Sequence, residues 1–281
     1  MKNLFLISLL TFCALSQPVS AQDQQVNPSK YTAHNKGKMY IFWGGNRESF
    51  SKSDIHFKGE NYNFTLNDVS ANDKPKGWHI DYFNPARMTI PQTNLRIGYF
   101  ISDHYNISIG VDHMKYVMNQ NQTVTINGTI NEGGPFDGTY NNDPIVLTEN
   151  FLTFEHTDGL NYINTEFSRV DDISKLFKIN NTDIFQINVT EGVGAGILYP
   201  KTNAMLMGKE RHDDFHIAGY GVSAKVGLNF TFFKHFFLQT EFKGGYIDMN
   251  DIRTTHSSAD RASQHFFFLQ RIVTIGGIFK V

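Results

Sequence analysis

The chain has 281 residues, with 25 lysines and arginines against 27 aspartates and glutamates, and the net charge of −2 gives no electrostatic footprint for nucleic acid. Its one cysteine, Cys13, lies inside a leader-like start, so a chain cleaved of that leader has neither disulfides nor thiolate metal sites. Beyond the leader no apolar run approaches the roughly 18 residues of a membrane helix, while the 25 phenylalanines and 23 glycines, with many Tyr, Asn and Thr, favour strands and turns.

Taken from the start, Lys2 precedes a mostly apolar run from Leu4 to Leu15, and Val19-Ser20-Ala21 offers a small-residue cleavage site. Residues 1–21 therefore read as a signal peptide and 22–36 as a short periplasmic segment. Bulky Phe12 before Cys13 does not suit lipoprotein acylation. Cleavage removes one basic and no acidic residue, which takes the net charge from −2 to −3.

From residue 37 onward the dominant signal is alternation. In Gly219–Thr231, Tyr220, Val222, Ala224, Val226, Leu228 and Phe230 share one parity, and Gly, Ser223, Lys225, Asn229 and Thr231 hold the other. A strand projects alternate side chains to opposite faces, so one face is apolar and the other polar or tiny. The pattern sets Leu238, Thr240 and Phe242 against Gln239, Glu241 and Lys243, and recurs at 94–99, 107–112, 182–197 and 269–279. It predicts eight strands over about 38–47, 89–101, 106–118, 154–170, 183–198, 216–232, 237–248 and 265–281. Short turns near 102–106 and 233–236, with a somewhat longer one near 171–182, alternate with long polar segments at 48–88, 119–150, 200–215 and 249–263. Short turns at one end, long loops at the other and apolar/polar alternation mark a transmembrane antiparallel β-barrel. The stretch SDIHFKGENYNFTLN in the first long segment reads as a hairpin above the membrane; entering the wall, it would make ten strands.

An eight-stranded barrel holds little more than its own inward side chains. Parity sends Arg96, Lys225 and Lys243 inward together with Asp112, Glu166 and Glu241. The two signs balance, which reads as an interlocked polar plug rather than an ion-selective ring. Catalytic use of Glu166 or Glu241 is the minor reading. Gly192, Gly194 and Gly196 on one strand and Gly219 and Gly221 on its neighbour share the inward parity near the outer mouth. They define a candidate shallow pocket, unless larger residues opposite fill the space. The GVGAG stretch is no nucleotide loop, because no helix follows it.

Histidines gather toward the outer half: His56, His79, His113, His156, His212, His216, His256 and His265. Candidate catalytic residues are His79, His113, His156 and Ser223, and candidate metal ligands are His79 and His156. In Asp112-His113 and Glu155-His156 the paired side chains point to opposite faces of an extended chain, so neither dipeptide is a dyad by itself. No HExxH or G-x-S-x-G occurs, and solvated or hydrogen-bonded rim histidines are the favoured reading.

The C-terminal segment places Leu269, Val273, Ile275, Gly277, Phe279 and Val281 on one parity, interrupted by Arg271, which reads as marking the outer interface. With this aromatic-rich closing strand, residues 37–281 resemble the small outer-membrane barrels of Gram-negative bacteria, the group of outer-membrane protein A. The resemblance implies residence in the cell outer membrane, contact with its lipid and lipopolysaccharide, a monomer, and no cofactor. Some barrels of this kind are lipid A acyltransferases or deacylases with a rim His, Ser and acid, but no motif matches here residue by residue. The leading expectation is a structural or surface-interaction protein that meets an extracellular ligand through loops 48–88 and 119–150. A lipid-A-modifying enzyme and a small-ligand or metal binder are the alternatives.

Overall fold

The computed structural model describes residues 34–75, 77, 91–211 and 214–281, so the expected signal peptide and most of segment 22–36 lie outside it. Fourteen strands form among these residues: β1 (Lys38–Phe50), β2 (Ser53–Lys58), β3 (Tyr62–Val69), β4 (Ala71–Asn72), β5 (Thr93–Phe100), β6 (Tyr105–Met118), β7 (Thr123–Ile130), β8 (Gly138–Val146), β9 (Leu152–Asp172), β10 (Phe185–Leu198), β11 (Asn203–Leu206), β12 (Gly219–Phe232), β13 (Phe236–Arg253) and β14 (Arg261–Lys280).

Eight of them close on themselves. The antiparallel ring runs β1–β5–β6–β9–β10–β12–β13–β14 and returns to β1, where Lys38–Phe50 pairs along Phe268–Lys280. Its register fixes its shape. From Gly277, successive partners are Ile41, Ile97, Ile109, Thr165, Ala195, Val222, Tyr246 and finally Phe267, ten residues up β14 from the start. A stagger of ten over eight strands, at ~3.3 Å per residue and ~4.8 Å between strands, tilts the strands by about 40°.

The wall is inside-out relative to a soluble protein. Ile109, Val193, Val226, Phe242, Val273 and Ile275 face outward and are 53–61% exposed, apart from the still more apolar-edged rows at each rim. Aromatic residues bound this belt, with Phe232, Phe236 and Phe279 below and Tyr220, Tyr246 and Phe267 above. Phe267 to Phe279 spans roughly 30 Å along the barrel axis at that tilt, a bilayer's apolar thickness. Arg271 therefore sits four residues inside the upper edge, not on it, and its register partner is the equally outward Arg47.

At the lower end the turns are tight. The β12–β13 hairpin turns through Phe233 and Lys234, both with positive φ, and closes with His235 N donating to Phe232 O at 3.1 Å. Asp103 in the β5–β6 turn accepts backbone N–H bonds from Asn35 (2.9 Å) and Lys36 (3.0 Å), which fixes the chain's entry into β1.

Above the belt the strands do not end in loops. β6, β9, β13 and β14 run on outward, and β2 takes the place of β1 beside β14, followed in the sheet by β3, β7 and β8. The SDIHFKGENYNFTLN segment is thus a hairpin outside the ring, and a ten-stranded wall does not form. Segments 48–88 and 119–150, expected as long loops, are largely folded in their described parts. Their short alternating runs bury Ile55, Phe57, Tyr62, Phe64, Leu66, Val124, Ile126 and Ile130 against Met114, Tyr116, Phe151, Phe154 and Phe266 in one dry core. The extracellular half is a cap with the packing of a soluble β-protein.

Candidate functional site

The lumen below the cap is layered by side-chain chemistry. Lowest are Tyr40, Phe42, Phe100 and Phe237, a small aromatic cluster on the inward parity. Tyr40, Phe100 and Phe237 line one side of a recess of about 40 Å³ that runs from Lys38 and Lys234 at the rim, past Asn188, Asn229 and Gln239, to Lys225.

There the ionic layer closes the barrel. Glu166 on β9 is its centre: its carboxylate lies 2.9 Å from Arg96 Nη2, 2.7 Å from Lys225 Nζ and 2.7 Å from Lys243 Nζ. Lys225 also reaches Glu241 (2.8 Å), and Lys243 reaches Asp112 (2.7 Å). Neutral groups satisfy the remainder: Asn94 Nδ2 donates to Asp112 (2.6 Å), Gln239 Nε2 to Glu241 (2.9 Å), and Arg96 to Asn164 Oδ1 (2.7 Å). The side chains of all six charged residues are at most 4% exposed where they pair. The structure therefore brings together the six residues that parity assigned to the lumen. Three cations neutralise three anions, and each desolvated charge has at least one opposite partner, the condition under which buried charge is tolerable.

The glycines near the mouth face occupied space. A Cβ on Gly192 would meet Ser168, and one on Gly194 would meet Glu166 and Ser223. On Gly196 it would meet Ile163 O and Asn164, on Gly219 Asp248 O, and on Gly221 Tyr162. The expected pocket over Gly192, Gly194, Gly196, Gly219 and Gly221 is not formed by these positions, because neighbouring backbone and the large side chains of β9 close on them.

Among the described residues the candidates His113, His156 and Ser223 do not converge. His79 lies outside the described residues. His113 bonds Asn161 Oδ1 through Nδ1 (2.7 Å). His156 is fully buried on the outward extension of β9, with Nδ1 2.8 Å from Thr202 Oγ1 and Nε2 3.4 Å from Gln264 Oε1. Gln264 in turn donates to Tyr116 Oη and Ser53 Oγ. Burial drives the His156 pKa down to about 4, so the imidazole is neutral in the folded cap. Among the described residues Ser223 bonds Tyr162 Oη at 3.4 Å and neither His113 nor His156. Among the described residues no three His, Cys, Asp or Glu side chains gather as metal ligands.

Sequence reasoning missed one polar group at the rim, Glu48 with Asp73 and Gln92. Glu48 continues the inward parity of Tyr40, Phe42 and Asn46, but the predicted strand stopped at residue 47 and left Glu48 to a loop.

A closed ring of eight strands with a charged interior and an apolar exterior bounded by aromatics has one solvent that fits it. This is a transmembrane β-barrel. No protein-family model and no curated protein matches the chain. Among solved structures it is similar to the outer membrane protein OprG from Pseudomonas aeruginosa, at 10% identity and a TM-score of 0.39 over 88% of this chain and 98% of that one. It is also similar to Ail, the attachment invasion locus protein of Yersinia pestis, at 9% identity and 0.32 over 87% and 99%. A third is Neisserial surface protein A, at 10% and 0.28 over 84% and 98%. At these scores the likeness carries no weight beside the strand ring and the lipid-facing belt, which stand on the chain's own geometry.

Proposed function

We propose that the chain is a surface-interaction protein: a sealed, monomeric barrel that anchors a folded extracellular cap, and the cap contacts a ligand outside the cell. The observation that carries this reading is the division of labour along the axis. Six paired, buried charges across the lumen favour a plug over a channel, and the barrel then serves as an anchor. The cap, in contrast, spends a large apolar core on holding a surface in shape. Its outward parity presents Asp54 and Lys58 on β2, Asn63 and Asn67 on β3, and Thr123, Thr125 and Thr129 on β7. Conductance recordings in planar bilayers test it: the expected trace shows no steady channel, and a large stable one overturns the reading.

A second observation favours the outer-leaflet glycolipid as a constant partner. Arg47 and Arg271 are opposite one another on the lipid face, and like charges directly across a pair repel. A lipid-facing arginine costs up to about 2–4 kcal/mol at mid-membrane. Both terms reverse if the two side chains snorkel upward to share a lipid phosphate. Replacing both by Gln is expected to lower the lipopolysaccharide that co-purifies with the protein, measured by mass spectrometry; unchanged retention removes this partner. The lipid A of cells with and without the gene should be identical, whereas an altered acyl pattern would favour the enzymatic alternative.

A further inference from the structure

The lower end of the barrel carries an apolar surface that the strand wall does not account for. The connection from β9 to β10 opens with a 3₁₀ turn, Ser174–Phe177. In it Leu176 is 78% exposed and Phe177 58%, with exposed Lys175 before them and exposed Lys178 after. Further along the same connection Ile184 is 55% exposed, and Phe233 of the neighbouring β12–β13 turn is 63% exposed. Phe233 N donates to Ile184 O at 2.9 Å, so the two turns are tied together. Turns in water favour polar side chains, and four large apolar ones on two joined turns call for an apolar neighbour.

The level of these turns says which neighbour. Phe185 and Phe232 are register partners with ring centroids 5.1 Å apart, which sets the foot of β10 beside the lower aromatic row. Ile173 N donates to Ile187 O at 2.8 Å, so the 3₁₀ turn starts beside that foot. The apolar surface therefore continues the lipid-facing belt downward, to the depth where acyl chains give way to headgroups. The charge at this end is uneven. Over 34–38, 101–105, 169–184, 233–236 and 278–281, seven lysines and arginines stand against four aspartates. Residues 22–33 add one of each sign and leave that excess unchanged. The aspartates are engaged elsewhere: Asp103 by the Asn35 and Lys36 N–H groups, Asp172 by the Ser174 N–H at 2.7 Å. Asp171 pairs with Arg169 (2.6 Å) and His104 (3.0 Å), and Asp183 with Lys234 (2.8 Å). Lys175 and Lys178 are not among these partners. Each flanks the apolar pair with a stem long enough to lie along it while its ammonium stays in water.

We propose that the turn from Lys175 to Lys178 is a docking site for an anionic phospholipid in the leaflet opposite the cap. Leu176 and Phe177 enter the acyl boundary, and Lys175 and Lys178 hold the charged headgroup. The belt runs directly into the apolar surface, and the cationic excess lies where a bilayer surface passes, so lipid fits it better than a soluble partner. The site is separate from Arg47 and Arg271, which lie in the upper half of the belt. It rests on the lipid-facing wall and does not depend on the surface-interaction reading.

The test uses the full chain with Cys13→Ser, which leaves no native cysteine. It is reconstituted in phosphatidylcholine vesicles with or without phosphatidylglycerol and free of lipopolysaccharide. A fluorescent label on Leu176→Cys should be quenched by a spin label at the headgroup end of the acyl chain, and one on the exposed cap position Asn63→Cys should not. Native mass spectrometry from mixed micelles of the two lipids should show phosphatidylglycerol retained in preference. Lys175→Gln combined with Lys178→Gln should lower that preference by about fivefold or more. The turn is exposed, so these variants keep the barrel, which heat-dependent gel mobility verifies. A label at 176 that aqueous iodide quenches and lipid spin labels do not places the turn in water and overturns the proposal. Phosphatidylglycerol retention unchanged in the double lysine variant overturns it as well. Quenching by lipid without preference for phosphatidylglycerol would leave apolar contact alone and removes the headgroup site.

Discussion

The barrel and the cap are built on the same strands with opposite rules. Along β14 the outward face is polar at Arg261, Ser263 and His265 and apolar from Phe267 to Ile275, broken only by Arg271. The inward face changes the other way, from Ala262, Phe266 and Phe268 to Gln270 and Thr274. β9 repeats this: Leu152, Phe154 and Leu160 point into the cap, and Asn164, Glu166 and Ser168 into the lumen. On these two strands parity does not slip, yet the meaning of each parity inverts at the level of the upper aromatics. What a side chain faces is set by the solvent around that stretch of strand, lipid below and water above. Strand geometry supplies only the alternation.

The comparison is tested most severely at the centre of the lumen. Glu166→Gln leaves three buried cations with two anions, and it should destabilise the barrel by about 5 kcal/mol, the upper end of what breaking a buried ion pair costs. Urea unfolding in detergent measures it. Adding Lys243→Met removes one excess cation while leaving Arg96 with Asp112 and Lys225 with Glu241, and should recover a substantial part of the loss, because the defect is unpaired charge rather than missing contact. If the double variant is as unstable as the sum of its parts, the layer is not one neutral unit.

The cap should fail differently. Phe64 is 1% exposed and stacks on Phe57 with ring centroids 5.3 Å apart. Phe64→Ala should cost about 3–5 kcal/mol by the usual penalty for emptying an apolar core. That loss belongs to the cap. Limited proteolysis within 53–69 and 123–146 should accelerate severalfold while the heat-dependent gel mobility of the barrel stays as it was. If barrel and cap melt together, the two regions form one cooperative unit.

How far the sequence disclosed this depends on which solvent a stretch meets. Where lipid is outside, alternation of Phe and Val against Lys and Glu is clear on most of the wall, although 38–47 and 159–170 alternate poorly, and parity assigned the six ionic residues inward. The opening rule then became a blind spot. TVTINGTI (123–130) alternates as cleanly as any wall strand, but its polar face is Thr and Asn and it lies between turn-rich stretches, so it read as loop. Phe237 shows the same limit at the other end. Among the phenylalanines of the β12–β13 hairpin it alone turns inward, to pack with Tyr40, Phe42 and Phe100. Contacts between strands far apart in sequence, such as Glu48 with Asp73 and Gln92, have no periodic signature at all.

The smallest effect probes the level at which the two rules meet. His156 sits in the cap just above the lumen, walled by Tyr116 and Phe154 and bonded to Thr202 and Gln264. Its folded pKa of about 4 lies below the ordinary 6.5, because burial disfavours the imidazolium. The unfolded cap therefore takes up a proton first as the pH falls. Stability from this residue is complete above pH 6.5 and declines steadily down to pH 4, by about 3 kcal/mol in all. His156→Gln, which can keep a hydrogen bond to Thr202 or Gln264 but cannot titrate, should flatten the pH dependence of cap proteolysis between pH 6.5 and 4. The barrel's own unfolding should not respond over that range in either protein. A native cap equally resistant at pH 4.5 and 7 would mean that His156 is charged in place, which an environment built on the cap's apolar rule does not allow.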